Sequence, residues 1–193
     1  MQQIDYSKVP KVLHNLEFST AEDPDWNAYD LKMTEACLRA LAAANEAVTN
    51  KETMGAQKIR NFIRRYPQVP MFKNHLWRFY LAVGFDDMAL GAAEQAIAEN
   101  PNYFYGPLML ANMLLTRPNR RPEISALLKH WNIVDYAGRD KFAYHELMNY
   151  YLVAAEYHHA TKDQKEARHF LYFLSIAGFG KEPAFLQLKR KVG

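Results

Sequence analysis

The sequence predicts an all-α chain of about four stacked antiparallel helical hairpins, and three observations carry that expectation. Long stretches rich in Ala, Leu, Lys, Glu, Met and Arg, the residues that lose least rotamer freedom in a helix, are punctuated by only nine Pro and eight Gly in 193 residues. Apolar residues within those stretches recur at spacings of three and four, the period of one helix face. A proline stop also recurs, because Pro67 and Pro101 lie 34 residues apart and each follows the second helix of a pair. With 49% apolar and 23% charged residues, the chain can bury a sizeable core.

Residues 1–25 hold Pro10, Pro24 and the acidic run Glu22-Asp23-Pro24-Asp25 without a sustained period, and read as an N-terminal arm. Residues 26–193 read as a single helical domain. Asp25 is the expected N-cap of a helix from Trp26 to Val48, in which Tyr29, Met33, Ala36, Ala40, Ala43 and Ala47 recur at spacings of three and four and the stretch from Ala40 to Ala47 reads as a small-residue seam for a neighbouring helix. After the break at Asn50-Lys51, Glu52 to Tyr66 places Ile59, Phe62, Ile63 and Tyr66 on one face, and Pro67 ends it. The second pair runs from Met71 to Val83 and from Asp87 to Glu99, turning at Gly84-Phe85-Asp86 and stopping at Asn100-Pro101. The third runs from Tyr103 to Leu115 and from Pro122 to Val134, with Pro122 in a helical first turn. The fourth runs from Lys141 to Ala160 and from Asp163 to Ala177, closed by Gly178 and Gly180. Glu182 to Lys191 forms a last helix.

Leu76, Trp77 and Tyr80 are followed 34 residues later by Leu110, Ala111 and Leu114. A helix-turn-helix unit of this length, with Leu76 and Tyr80 in the first helix, Gly84 at the turn, Ala89 and Ala96 at small positions of the second helix and Pro101 at its end, resembles the tetratricopeptide repeat. Residues 70–103 carry the pattern best, with Lys73 where the family has Trp, Trp77 at the small position and Ala93 in place of Phe. The third pair keeps Leu110 and Ala111, and the first and fourth match mainly in shape. The resemblance, over roughly residues 26–178, implies a right-handed superhelix with a concave side lined by the first helices, and a non-enzymatic scaffold that binds a peptide or protein segment there. Tyr80 is then expected to be buried against the neighbouring hairpin.

On that reading the concave positions are Met71, Asn74, Arg78 and Leu81 in one repeat and Tyr105, Leu108, Asn112 and Leu115 in the next. Asn74, Arg78, Tyr105 and Asn112 are the candidate partner-binding residues, since amides and guanidinium clamp a peptide backbone or terminal carboxylate around an aromatic anchor. The Lys/Asn clamp of family members that hold acidic chaperone tails is not reproduced.

Composition narrows the remaining classes. A single cysteine, Cys37, points to a reducing cytoplasm, and neither a signal-peptide run nor a spanning segment is present. Net charge is +3, mildly basic. The runner-up function is an RNA-binding helical repeat that uses Lys58, Arg60, Arg64 and Arg65, then Arg117, Arg120 and Arg121, then Lys189, Arg190 and Lys191; the competing explanation is cations near helix C-termini. A metal-dependent enzyme at the fourth hairpin is the third reading, because Glu156-x-x-His159 and Glu166-x-x-His169 put a Glu and a His on one face of each of two helices. Cross-hairpin ion pairs account for the same residues. His145-Glu146 opens a zinc-protease motif, but Asn149 stands at the second ligand position. No Gly-rich phosphate loop, nucleophile elbow or Cys pair is present, so neither enzymatic activity nor a cofactor is implied. The aromatics Tyr144, Tyr150, Tyr151, Tyr157, Tyr172 and Phe173 crowd the fourth hairpin; most should be core, and any left exposed would serve dimerisation or partner binding.

Overall fold

The structure, a computed structural model, describes residues 17–19, 34–139 and 141–193, with the backbone alone at 17–19 and 141. It divides into two compact units: residues 25–113, and residues 1–24 with 114–193. Among the described residues the chain is helical apart from one short ladder, and no helix is long and apolar enough to cross a membrane. The arm expected over residues 1–25 lies outside the described residues except for 17–19.

The first unit contains α1 (Glu35–Thr49), α2 (Gly55–Arg65), α3 (Met71–Ala82), α4 (Asp86–Glu99) and most of α5 (Tyr105–Leu115). The first helix begins at Glu35, not at Trp26: Thr34 is extended, and its hydroxyl accepts a hydrogen bond from the Cys37 N–H at 3.2 Å. The expected N-cap Asp25 and residues 26–33 lie outside the described residues. The small-residue seam is found in part: Ala40 and Ala47 are buried as expected, but Ala36 is exposed and Ala43 half-buried, and the buried face is completed by Cys37, Ala44 and Val48. With no bulk on this face, α1 packs on both α2 and α3, while α3 also packs on α2 and α4. Tyr80 is buried in this core beside Phe72, Leu76 and Phe79.

Two close approaches set this packing. A Cβ on Gly55, the first residue of α2, would overlap the Phe79 ring. A Cβ on Gly106 would lie 3.3 Å from Ile97 Cγ1, so α5 approaches α4 closely at this point. Lys73, which stands where the repeat pattern has Trp, is itself buried, and its Nζ lies 2.5 Å from Glu99 Oε2 and 2.5 Å from Asn100 Oδ1. It places a cation against the C-terminal end of α4, where the carbonyl dipoles favour one.

The second unit contains α6 (Glu123–Leu127), α7 (Ile133–Ala137), α8 (Tyr144–Ala160), α9 (Gln164–Ile176) and α10 (Pro183–Val192). The helix expected from Pro122 to Val134 is broken. Lys129, His130 and Trp131 all have positive φ, between 48° and 71°, and Asn132 starts a new helix by accepting from the Val134 and Asp135 N–H groups. The expected start of the fourth pair at Lys141 is also corrected. Lys141–Ala143 is a strand, β2, paired in parallel with β1 (Glu17–Ser19), with Phe18 opposite Phe142. Helix α8 therefore begins at Tyr144, and α8, α9 and α10 pack on one another.

Candidate functional site

Helix α3 shows how the candidate residues are positioned. Phe72, Leu76, Phe79 and Tyr80 recur at i, i+4, i+7 and i+8 and are buried, so Asn74 and Arg78 must leave the helix on another side. Arg78 is exposed, and its guanidinium donates to Asn45 Oδ1 of α1 at 3.3 Å. Asn74 is half-buried. Its amide Nδ2 donates to the Tyr103 hydroxyl at 3.5 Å, while its Oδ1 is buried without a hydrogen-bond donor. The Tyr103 ring lies 5.7 Å from that of Tyr105, which is 5.3 Å from Phe104. Asn74 thus joins the aromatic group at the start of α5.

Asn112 stands two turns further along α5, where its Nδ2 donates to the Leu108 carbonyl at 2.9 Å. Leu108 and Leu115, expected beside it on an open face, are buried. The structure therefore links Arg78 to α1 and Asn74 to the Tyr103–Tyr105 group, while Asn112 is bonded, among the described residues, within its own helix.

His75 was not singled out in the sequence, yet it adjoins these residues. Burial, reinforced by the nearby Arg78 guanidinium, lowers its pKa from 6.5 to about 4, so the imidazole is neutral at physiological pH. Its Nδ1 and the Trp77 Nε1 are both buried without a hydrogen-bond partner. The spacing of His75, three residues after Phe72 and four before Phe79, puts it at the edge of the apolar stripe and was the signal that could have found it.

No protein-family model, curated protein or solved structure matches the chain.

The Glu/His pairs of the fourth hairpin are used elsewhere. Glu156 lies 3.3 Å from Lys191 Nζ of α10, and His159 Nδ1 lies 3.2 Å from the Gln164 side-chain amide. Glu166 sits in the first turn of α9, its N–H bonded to the N-cap Asp163, and His169 is exposed. Among the described residues no three His, Cys, Asp or Glu side chains are grouped to hold a metal ion. Glu146, from the broken zinc-protease motif, is completely buried: Oε2 accepts the Ala143 N–H at 2.9 Å and Oε1 pairs with Arg139 at 2.5 Å. It caps α8.

Several basic residues prove to be structural. Arg121 donates to the Leu115 carbonyl at 2.9 Å and to the Ala160 carbonyl at 3.0 Å, tying the ends of two helices. Arg120 pairs with Glu123, Lys58 with Glu52 and Lys191 with Glu156. Of the aromatics crowded into the fourth hairpin, Tyr150, Tyr151 and Phe173 are buried, whereas Tyr144 and Tyr172 are exposed. Burial also raises the Cys37 thiol pKa, which keeps it protonated and unreactive.

Proposed function

We propose that the chain is a non-enzymatic scaffold with tetratricopeptide-like architecture, a right-handed superhelix of stacked hairpins, which binds a peptide or protein segment through the first helices of its pairs. The observation that carries this reading is the Asn45–Arg78 hydrogen bond. It joins α1 and α3 side by side, with the exposed guanidinium lying across them beside Asn74, whose buried Oδ1 has no donor. The exposed Arg78 guanidinium would hold a peptide carbonyl or carboxylate, with the Asn112 amide beside it and Tyr105 supplying an aromatic contact. A reducing, cytoplasmic setting accords with the one buried thiol.

The test compares proteins captured by immobilised wild-type chain with those captured by the Arg78→Ala/Asn112→Ala variant. Circular dichroism serves as a check that helicity is retained. The proposal expects specific captured proteins to be lost from the variant at unchanged helicity, through a weakening of about 1.5 to 3 kcal/mol. An identical captured set would move the interface off α3 and α5.

A further inference from the structure

We propose that a groove lined by α2 and α4 is a second docking site, separate from the first-helix residues, for a segment of another protein that carries carboxylates beside an aliphatic side chain. The groove has a volume of about 410 Å³, within the range of ligand pockets, roughly 300–1,000 Å³. Ile63 and the buried Leu76 give it an apolar floor, while Gln57, Arg60, Arg64 and Gln95 supply the polar lining.

Both guanidinium groups are held in place. Arg60 Nη2 donates to the hydroxyl of buried Tyr80 at 2.6 Å, and the guanidinium lies over that ring, 5.8 Å from its centroid. Arg64 Nη2 donates to Asn61 Oδ1 at 2.5 Å, and the same oxygen accepts from Gln57 Nε2 at 3.1 Å. Neither arginine has a carboxylate within ion-pair distance among the described residues, although Arg39, Lys58 and Lys73 of the same unit are each paired with a glutamate. Two positioned, uncompensated cations one helical turn apart, roughly 5–6 Å at Cβ, match two carboxylates on one acidic segment.

Charge alone would equally suit a nucleic acid. The apolar floor decides between them, because among the described residues no aromatic ring lines the groove on which a base would stack, whereas Ile63 and Leu76 accept an aliphatic side chain. Holding the guanidiniums beforehand lowers the ordering cost of binding.

Fluorescence anisotropy with the labelled peptide Glu-Leu-Glu-Glu-Leu-Glu, and with its analogue in which every Glu is Gln, tests this on the full chain. The expected result is binding of the acidic peptide, at least about tenfold weaker binding of the Gln analogue, and about a tenfold loss in Arg60→Gln/Arg64→Gln. Arg64→Gln alone, which leaves the Arg60–Tyr80 bond intact, should lose several-fold and carries the test if the double variant loses its helicity. Arg78→Ala/Asn112→Ala should bind like wild type, which separates this groove from the first-helix site. Absence of binding to wild type, equal binding of the Gln analogue, or affinity unchanged in Arg64→Gln would overturn the proposal. So would tighter, Arg64-dependent binding of a single-stranded RNA oligonucleotide.

Discussion

Single side chains decide more of this structure than their types announce. Glu146 and Lys73 are the buried charges among the described residues, and each closes a helix end: Glu146 at the start of α8, Lys73 at the end of α4. Removing Glu146 takes the side-chain acceptor from the Ala143 N–H and one carboxylate partner from Arg139. Glu146→Ala is therefore expected to destabilise by about 2 to 4 kcal/mol, read as a shift of the urea midpoint at constant slope. His75 makes a prediction of opposite chemical sense. Its folded pKa of about 4 lies below the 6.5 of a free imidazole, so between those values the unfolded chain binds more protons and stability falls as the pH falls. Glu99, whose pKa the Lys73 hydrogen bond lowers from 4.5, adds a loss at still lower pH. Thermal midpoints should drop on acidification from pH 7 to pH 4, and His75→Gln should flatten the upper part of that drop; an unchanged slope in the variant would assign it elsewhere. None of this was readable from residue types, because His75 and Lys73 look like ordinary polar positions until the helices around them are packed.

At the scale of elements, three first helices end in the same way. After α1, α3 and α8 the chain passes through a left-handed residue, Lys51, Gly84 or Lys162, and the next N–H returns to a carbonyl five residues back: Glu52 to Ala47, Phe85 to Tyr80, Asp163 to His158. This is the Schellman end, which satisfies helix carbonyls and reverses the chain into the second helix. Only Gly84 carries the residue the geometry favours. Lys51→Gly and Lys162→Gly should each stabilise by about 0.5 to 1 kcal/mol, measured by denaturant unfolding, since a left-handed conformation is strained for a side chain with Cβ. The hairpin breaks near residues 50, 85 and 118 were legible because Asn, Gly and Pro punctuate them, and the one near 162 because Thr161-Lys162 precedes the N-cap residue Asp163. The break inside the third pair was not. Lys129-His130-Trp131 contains neither Gly nor Pro, and its left-handed turn places Trp131 against Tyr157, with ring centroids 4.8 Å apart, by a contact distant in sequence. Asn132, which caps the next helix, was the one local signal of that break. The strand at Lys141–Ala143 was equally hidden, because its partner lies more than a hundred residues away at Glu17–Ser19.

For the molecule as a whole, two helices of the first unit share one spacing of buried positions while differing in side-chain size. Ala40, Ala44, Ala47 and Val48 of α1 have the same spacing as Phe72, Leu76, Phe79 and Tyr80 of α3 and are buried like them, but are small where those of α3 are large. The pattern of burial is shared where the residue signature is not. The candidate site was legible in part: helical phase separated Asn74 and Arg78 from the core, but could not show that Asn45 and Tyr103 would be their partners, since those bonds cross between helices. The central claim, that the first helices hold a partner, is tested most directly by hydrogen–deuterium exchange of the chain alone and in complex with a protein it captures. The account predicts slowed exchange in residues 71–82 and 105–115, at the positions flanking Arg78 and Asn112. Slowing confined to residues 55–65 and 86–99, or none in any helix, would contradict it.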